Sequence, residues 1–196
     1  MMEAPNNETH QRILDIAEQL FSRQGYKSVR LRDIADAIGM KHASLYYYAP
    51  GGKEQLFAEV MERNLLRHRA GMESAIAEAG DDLRAQLWGV ARWLLAQPPL
   101  DLMRMQFADM PAISHERSAH LYQLAWDSLR LPLRGALEQA YARGELRAPD
   151  FDLGAIAFIT LIEGIHSAPR DQSDPTREEI VERTIDMLLH GWLKRE

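Results

Sequence analysis

Residues 31–57 read LRDIADAIGMKHASLYYYAPGGKEQLF, and this stretch decides the architecture. Leu31, Ile34, Ala35 and Ile38 recur at helical spacing, so a helix of about two turns carries one apolar face. Gly39 then supplies the residue that lets the chain reverse. The second segment, His42 to Tyr48, sets Ala43, Leu45 and Tyr46 among the polar His42 and Ser44. Two short helices joined by a tight glycine-containing turn make a helix-turn-helix, whose second helix is shaped for the major groove. An ordinary helix–helix corner shows the same spacing, so periodicity alone leaves both readings open.

Working outward resolves the choice. Upstream lies RILDIAEQLFSRQGYKSVRLRDIA, Arg12 to Ala35. Taken with residues 31–57, it resembles the tetracycline-repressor (TetR) family of one-component regulators. The resemblance is carried by Ile13, Ala17, Leu20, Phe21, Gly25 and Tyr26, then Asp33, Ile34, Ala35 and Gly39, then Leu45, Tyr46, Tyr47, Lys53, Glu54 and Leu56. It implies an all-α chain: a three-helix headpiece over residues 1–56 and a helical ligand-binding and dimerisation body over 57–196. It further implies a repressor, released from a palindromic DNA operator by a small apolar effector. A helical small-molecule carrier or enzyme with a vestigial headpiece is the alternative.

Position by position, the resemblance implies that Arg32 reads a base, and a bidentate contact to guanine suits its fork. His42, Ala43 and Ser44 match base-edge contacts, with Ala43 placed for a thymine methyl. Tyr46 and Tyr47 match positions that flank bases and hold phosphates, although Tyr46 also suits core packing. Lys53 matches a phosphate clamp at a helix N-terminus. Three departures stand out. Val29 and Arg30 replace the usual Ser or Thr cap of the second helix, and Lys41 replaces that of the third. A lost cap costs about 1 kcal/mol, which Arg30 and Lys41 can offset as phosphate contacts. Ala49 replaces a large residue before a longer Pro50-Gly51-Gly52 turn, so the facing of Tyr48 stays open.

The whole chain sets bounds on this reading. Its 196 residues, 46% hydrophobic and 27% charged, suit a globular protein. The absence of cysteine excludes disulfides, thiolate metal sites and cysteine nucleophiles. No signal segment or membrane-length apolar run is visible, which predicts a cytoplasmic chain with no membrane partner. Net charge is −6. Between Lys27 and Lys53, however, five cations face only Asp33 and Asp36, giving 5 − 2 = +3 and leaving −6 − 3 = −9 elsewhere. A basic patch on an acidic body suits a protein that meets DNA at one end.

Further helices follow from periodicity and punctuation. The first runs from Asn7 or Thr9 to Arg23, with Gly25 as its stop. A long fourth helix follows Pro50-Gly51-Gly52 and ends near Ala79, and Asp81 or Asp82 caps the fifth. Pro98-Pro99 breaks the fifth helix. Pro132 should kink or split the seventh. Pro149-Asp150 opens the eighth helix, apolar almost all round, and either Asp174-Pro175 or the Thr176/Glu179 box opens the ninth.

Helices eight and nine offer more apolar surface than one body hides, which predicts a homodimer through Ile156, Ile159, Ile162, Val181, Leu188 and Trp192, the alternative being that helix eight is the central core helix of a monomer. Leu193 extends the same stripe. Trp88, Met103, Phe107, Met110, Tyr122 and Trp126 suit an adaptable apolar effector cavity, with Glu163 and His166 as polar anchors, while each of these methionines and aromatics taken singly suits ordinary core better. A helix-capping or interface role suits Glu163 and His166 at least as well. Catalytic, metal and cofactor sites are not expected. His115 and His120 are five residues apart, so about 140° separates them on a helix and they cannot share a metal-binding face.

Overall fold

The computed structural model describes residues 7–147, 150–171 and 173–192, with the side chains of Asn7, Gly191 and Trp192 outside that description. Pro149 and Leu193 also lie outside it. Among the described residues the chain is all-α: α1 Asn7–Ser28, α2 Leu31–Ile38, α3 His42–Tyr48, α4 Gly52–Glu78, α5 Leu83–Ala96, α6 Leu102–Arg104, α7 His115–Ala142, α8 Phe151–Ser167 and α9 Arg177–Trp192.

The helix boundaries have local causes. Gly25, at φ 76° and ψ 164°, breaks the helical path near the end of α1, a backbone state that glycine enters without a Cβ penalty. Arg30 precedes α2 without capping it through its side chain. Asp33 does the work in reverse, its Oδ2 accepting the Arg30 N–H at 2.8 Å, which is half of a capping box. At the other end Gly39 sits at φ 74° and the Met40 N–H reaches the Ala35 carbonyl at 2.9 Å, a Schellman-like closure. Lys41 gives α3 no side-chain cap. The Gly52 N–H then bonds the Ala49 carbonyl at 2.9 Å, with Gly52 at φ 67°.

Later helices follow their punctuation. Asp82 and Asp150 cap α5 and α8, each accepting at 3.0 Å from the backbone three residues on. For α9 the Thr176/Glu179 box closes, at 3.1 and 2.7 Å. α7 runs through Pro132 as one helix. Its predicted splitting does not occur, because the twenty-eight-residue helix needs to forgo only one backbone bond at the proline. The chain between α6 and α7 widens into a π-turn at Met105–Asp109 and tightens into a 3-10 turn at Met110–Ala112.

Two compact units emerge: residues 1–64 with 102–124, and 65–101 with 125–196. The first is centred on Ile13, Ala17, Ile34, Leu45 and Leu56, all fully buried, with Leu20 and Ile38 half-buried at its margin. A ring cluster joins this core: Phe21 meets Phe57 edge-on at 5.2 Å and Tyr26 lies 4.9 Å from Phe57. In the second unit α5, α8 and α9 pack mutually around Leu87, Leu94, Phe158, Ile162 and Val181.

Candidate nucleic-acid interface

The helix-turn-helix is built by anchoring one side and exposing the other. Leu31, Ile34 and Ala35 bury the inner face of α2, and Leu45 is the fully buried residue of α3. On the outer face Arg30, Arg32, Lys41, His42, Ala43 and Ser44 are all exposed. Tyr46 and Tyr47 are 47% and 44% exposed, so core packing is not the role of Tyr46. Side-chain contacts organise this face: Arg32 faces Asp36 at 3.4 Å one turn on, the His42 ring stands edge-on to Tyr46 at 5.4 Å, and Tyr47 stands edge-on to Tyr48 at 5.2 Å. The Arg32 pair is fully solvated and contributes little to stability, so a DNA contact can displace it at small cost.

Two residues placed at the interface by resemblance face elsewhere. Tyr48 is half-buried, its ring 6.5 Å from His10 of α1, so it supports α3 from behind. After it, Ala49 is fully buried and Gly52 opens α4. Lys53 is turned to the protein: Nζ donates to the Tyr26 carbonyl at 2.9 Å and sits 4.0 Å over the Tyr26 ring. Burial pushes the Lys53 pKa below its ordinary value. Its ammonium thus ties the start of α4 to the α1–α2 connection.

The headpiece has a second support that the sequence patterns did not signal. Asp109, 5% exposed, accepts the buried Tyr26 N–H at 2.9 Å. Arg104 reaches its other oxygen at 3.3 Å and donates to the Ser22 carbonyl at 2.9 Å. The π-turn brings the two residues together beside Gly25, whose positive φ of 76° requires glycine while a Cβ there would make only ordinary contact with Asp109 Oδ1 at 3.4 Å. Glu54 accepts from the Ser114 N–H and hydroxyl at 3.2 and 2.6 Å and faces Arg117 at 3.4 Å. The Ser114 hydroxyl, more than Arg117, holds the Glu54 carboxyl below its usual range. Only an acid five residues beyond Arg104, in a methionine-rich turn, hinted at any of this.

The residues expected at an effector cavity are divided. Met103, Phe107, Met110 and Tyr122 belong to the first unit, and Trp88, Trp126, Glu163 and His166 to the second. Met110 is core at 1% exposure, whereas Met103 and Phe107 are 67% exposed. Tyr122 and Trp126 are also exposed, the former donating to the Gln106 carbonyl at 3.1 Å. Glu163 accepts the Leu100 N–H at 2.9 Å and His166 Nε2 meets the Gln97 carbonyl at 2.8 Å. Both therefore secure the chain after α5, which is the capping role. Burial raises the Glu163 pKa.

The expected dimer residues need correction too. Ile159, Ile162 and Val181 are 3%, 0% and 0% exposed, so they are core of the single chain and not available to a partner. Ile156 and Leu188 are half-buried, and the Trp192 side chain lies outside the described residues. The outward apolar positions are Leu153 and Leu161 on α8 and Met187 on α9. An all-round apolar pattern cannot say which side faces the core.

Similarity to known proteins agrees with this geometry. Residues 13–60 match the model of bacterial regulatory proteins of the tetR family. Residues 81–191 match the AefR-like transcriptional repressor C-terminal domain. The repressor KstR2 of Rhodococcus jostii is 39% identical over 75 residues, 38% of this chain and 36% of the relative. The regulator LmrA of Bacillus subtilis is 43% identical over 54 residues, 28% of this chain and 29% of the relative. The chain thus spans about a third of the length of the curated relatives it matches. A solved structure of AibR in complex with isovaleryl coenzyme A and operator DNA superposes with TM-score 0.73 at 22% identity, over 92% of this chain and 97% of that one. No helix among the described residues is long and apolar enough to cross a membrane. With a helix-turn-helix over residues 13–60 and a repressor-type body over 81–191, the chain belongs to the tetR family of bacterial regulatory proteins.

Proposed function

We propose that this chain is a ligand-responsive, sequence-specific DNA-binding repressor that acts in the cytoplasm as a homodimer. The observation that carries the reading is the outer face of α2 and α3. Arg30, Arg32 and Lys41 flank His42, Ala43 and Ser44 on a solvent-exposed surface, and Leu45 is buried beneath them. His42 and Ser44 offer hydrogen bonds and Ala43 a methyl contact to base edges in the major groove. Arg30 and Lys41 position the headpiece on phosphates, and Arg32 exchanges Asp36 for a guanine. Tyr46 holds the His42 ring and, with Tyr47, lies against the sugar-phosphate backbone. DNA binding belongs to residues 1–56, with residues 102–118 as their support, and effector binding and pairing to the body over 57–196. Relatives named as repressors support the sign of regulation.

Pairing uses the outward side of α8 and α9. Besides Leu153, Leu161 and Met187, that side has an apolar groove of about 470 Å³ formed by Thr160, Leu161, Gly164, Ile165 and Ile180. A two-fold pair would present two copies of α3 to a palindromic operator. The test is a gel shift with DNA from upstream of the chain's own gene against random DNA of equal length. One fragment should be retained at moderate salt, in competition with excess random DNA. Equal retention of both would sink the reading.

A further inference from the structure

The body carries a second feature, on the side of α5 that faces away from its core. Leu83, Gln86, Leu87, Val90, Ala91 and Leu94 are the buried set of α5. At 100° per residue, Ala85, Trp88, Gly89 and Arg92 fall on the opposite side. There, between α4 and α5, lies an open groove of about 520 Å³, within the size range of small-molecule sites. Its floor is made close by small residues. A Cβ on Gly71 would lie 2.0 Å from Trp93 Cε2, so the indole rests directly on the α4 backbone. A Cβ on Gly89 would lie 3.2 Å from the Ala75 carbonyl.

We propose that this groove binds a flat aromatic carboxylate, its ring against the Trp88 and Trp93 indoles and its carboxylate on Arg92. Two observations point to that chemistry. Two indoles in one groove supply faces for a ring, where aromatic pairs gain beyond simple burial. Arg92 is exposed and makes no ion pair or hydrogen bond among the described residues, so its guanidinium is available for a bidentate carboxylate. The acidic residue of the groove, Glu78, is engaged by the Ser74 hydroxyl at 2.9 Å. It lies seven residues from Gly71 along α4, roughly 10 Å from the Trp93 end, so it does not oppose an anion held by Arg92. This site is separate from the DNA-facing surface and does not depend on the regulatory reading.

The probe is 2-naphthoate, with neutral 2-naphthamide as its control, titrated into the isotopically labelled full chain. Of its four tryptophans, Trp88 and Trp93 should show shifted indole resonances with 2-naphthoate while Trp126 stays in place. The amide should bind about tenfold more weakly, the factor expected from loss of one charged hydrogen-bonded pair. Arg92→Gln should remove that tenfold preference and leave the fold intact. Ser74→Phe, from an exposed position on the rim, should fill the groove and abolish the shifts. Equal binding of acid and amide, indole shifts confined to Trp126, or shifts unchanged in both variants would each overturn the proposal.

Discussion

Asp109→Ala should weaken the first unit from a position that touches no DNA. Two losses add. The Tyr26 N–H, buried and bonded to Asp109 at 2.9 Å, would be left unsatisfied, which costs about 1–3 kcal/mol. Arg104 would lose its 3.3 Å partner, and because its side chain is 30% exposed, solvent limits that loss to about 1 kcal/mol. The sum is about 2–4 kcal/mol, or roughly 4–16 °C in Tm at about 2–4 °C per kcal/mol for a chain of this size. Asp109→Asn separates the two effects. Its amide oxygen still accepts the Tyr26 N–H while the charge is gone, so the loss should stay near 1 kcal/mol. Thermal melts of the three proteins by circular dichroism, at neutral pH and equal concentration, make the comparison. If Asp109→Ala melts within 2 °C of the parent, or Asn and Ala are equal, the buried bond to Tyr26 is not holding the headpiece turn.

Other consequences can be checked with the same preparations. Gly71→Ala should destabilise by about 1–3 kcal/mol through the Trp93 collision, outweighing the helix propensity gain of about 1 kcal/mol. Adding Trp93→Leu should recover most of the loss, and a stabilised single variant would contradict the packing. Burial raises the Glu163 carboxyl above 4.5, so the folded chain holds that proton more tightly than the unfolded one. The resulting stabilisation is complete below about pH 4.5 and is lost as pH rises through the folded value. The Tm of Glu163→Gln relative to parent should therefore climb from pH 4.5 to 7; a flat difference would deny the buried charge. Lys53→Ala should lower Tm and operator affinity while leaving the salt slope of binding unchanged, because its ammonium is tied to Tyr26; a slope reduced by about one would restore the phosphate role. Arg30 and Lys41 from two headpieces neutralise about four phosphates, giving a slope of log affinity on log salt of about −4. A value of about −2 would mean that one headpiece binds alone.

How far the sequence could be read depended on the kind of signal. Helix boundaries were legible because they are set locally: Gly25 and Gly39 by backbone freedom, and Asp82, Asp150 and Thr176 by side chains within three residues of the amide they serve. The outer face of α3 was legible because Leu45 fixes its inner side. The missing cap of α2 was legible from the absent Ser or Thr, and α2 has no side-chain N-cap; the Asp33 carboxylate that holds the Arg30 N–H was not foreseen. Long-range ties were invisible. Asp109 lies 83 residues from Tyr26, and Glu54 lies 60 from Ser114, and no periodicity records such pairs. On α8 the pattern was apolar on every side, so Ile159 and Ile162 could not be told from Leu153 and Leu161 by spacing.

These ties explain how a headpiece poor in helix caps can still present a defined reading surface. α2 and α3 are short, at eight and seven residues, and helices of that length are unstable alone. Their geometry must come from tertiary support. That support is supplied by residues behind the surface: Lys53 and Asp109 hold Tyr26 from two directions, Arg63 pins α1 through Asp15 and Glu18 at 2.7 and 2.6 Å, and Tyr48 backs α3 against His10. The outward residues carry little of this burden. Arg30 and Lys41 use only their backbone in the fold, and Arg32 makes one solvated pair. Substituting them should alter which DNA is bound and how tightly, with little change in Tm. Substituting the residues behind should change Tm first and affinity through it.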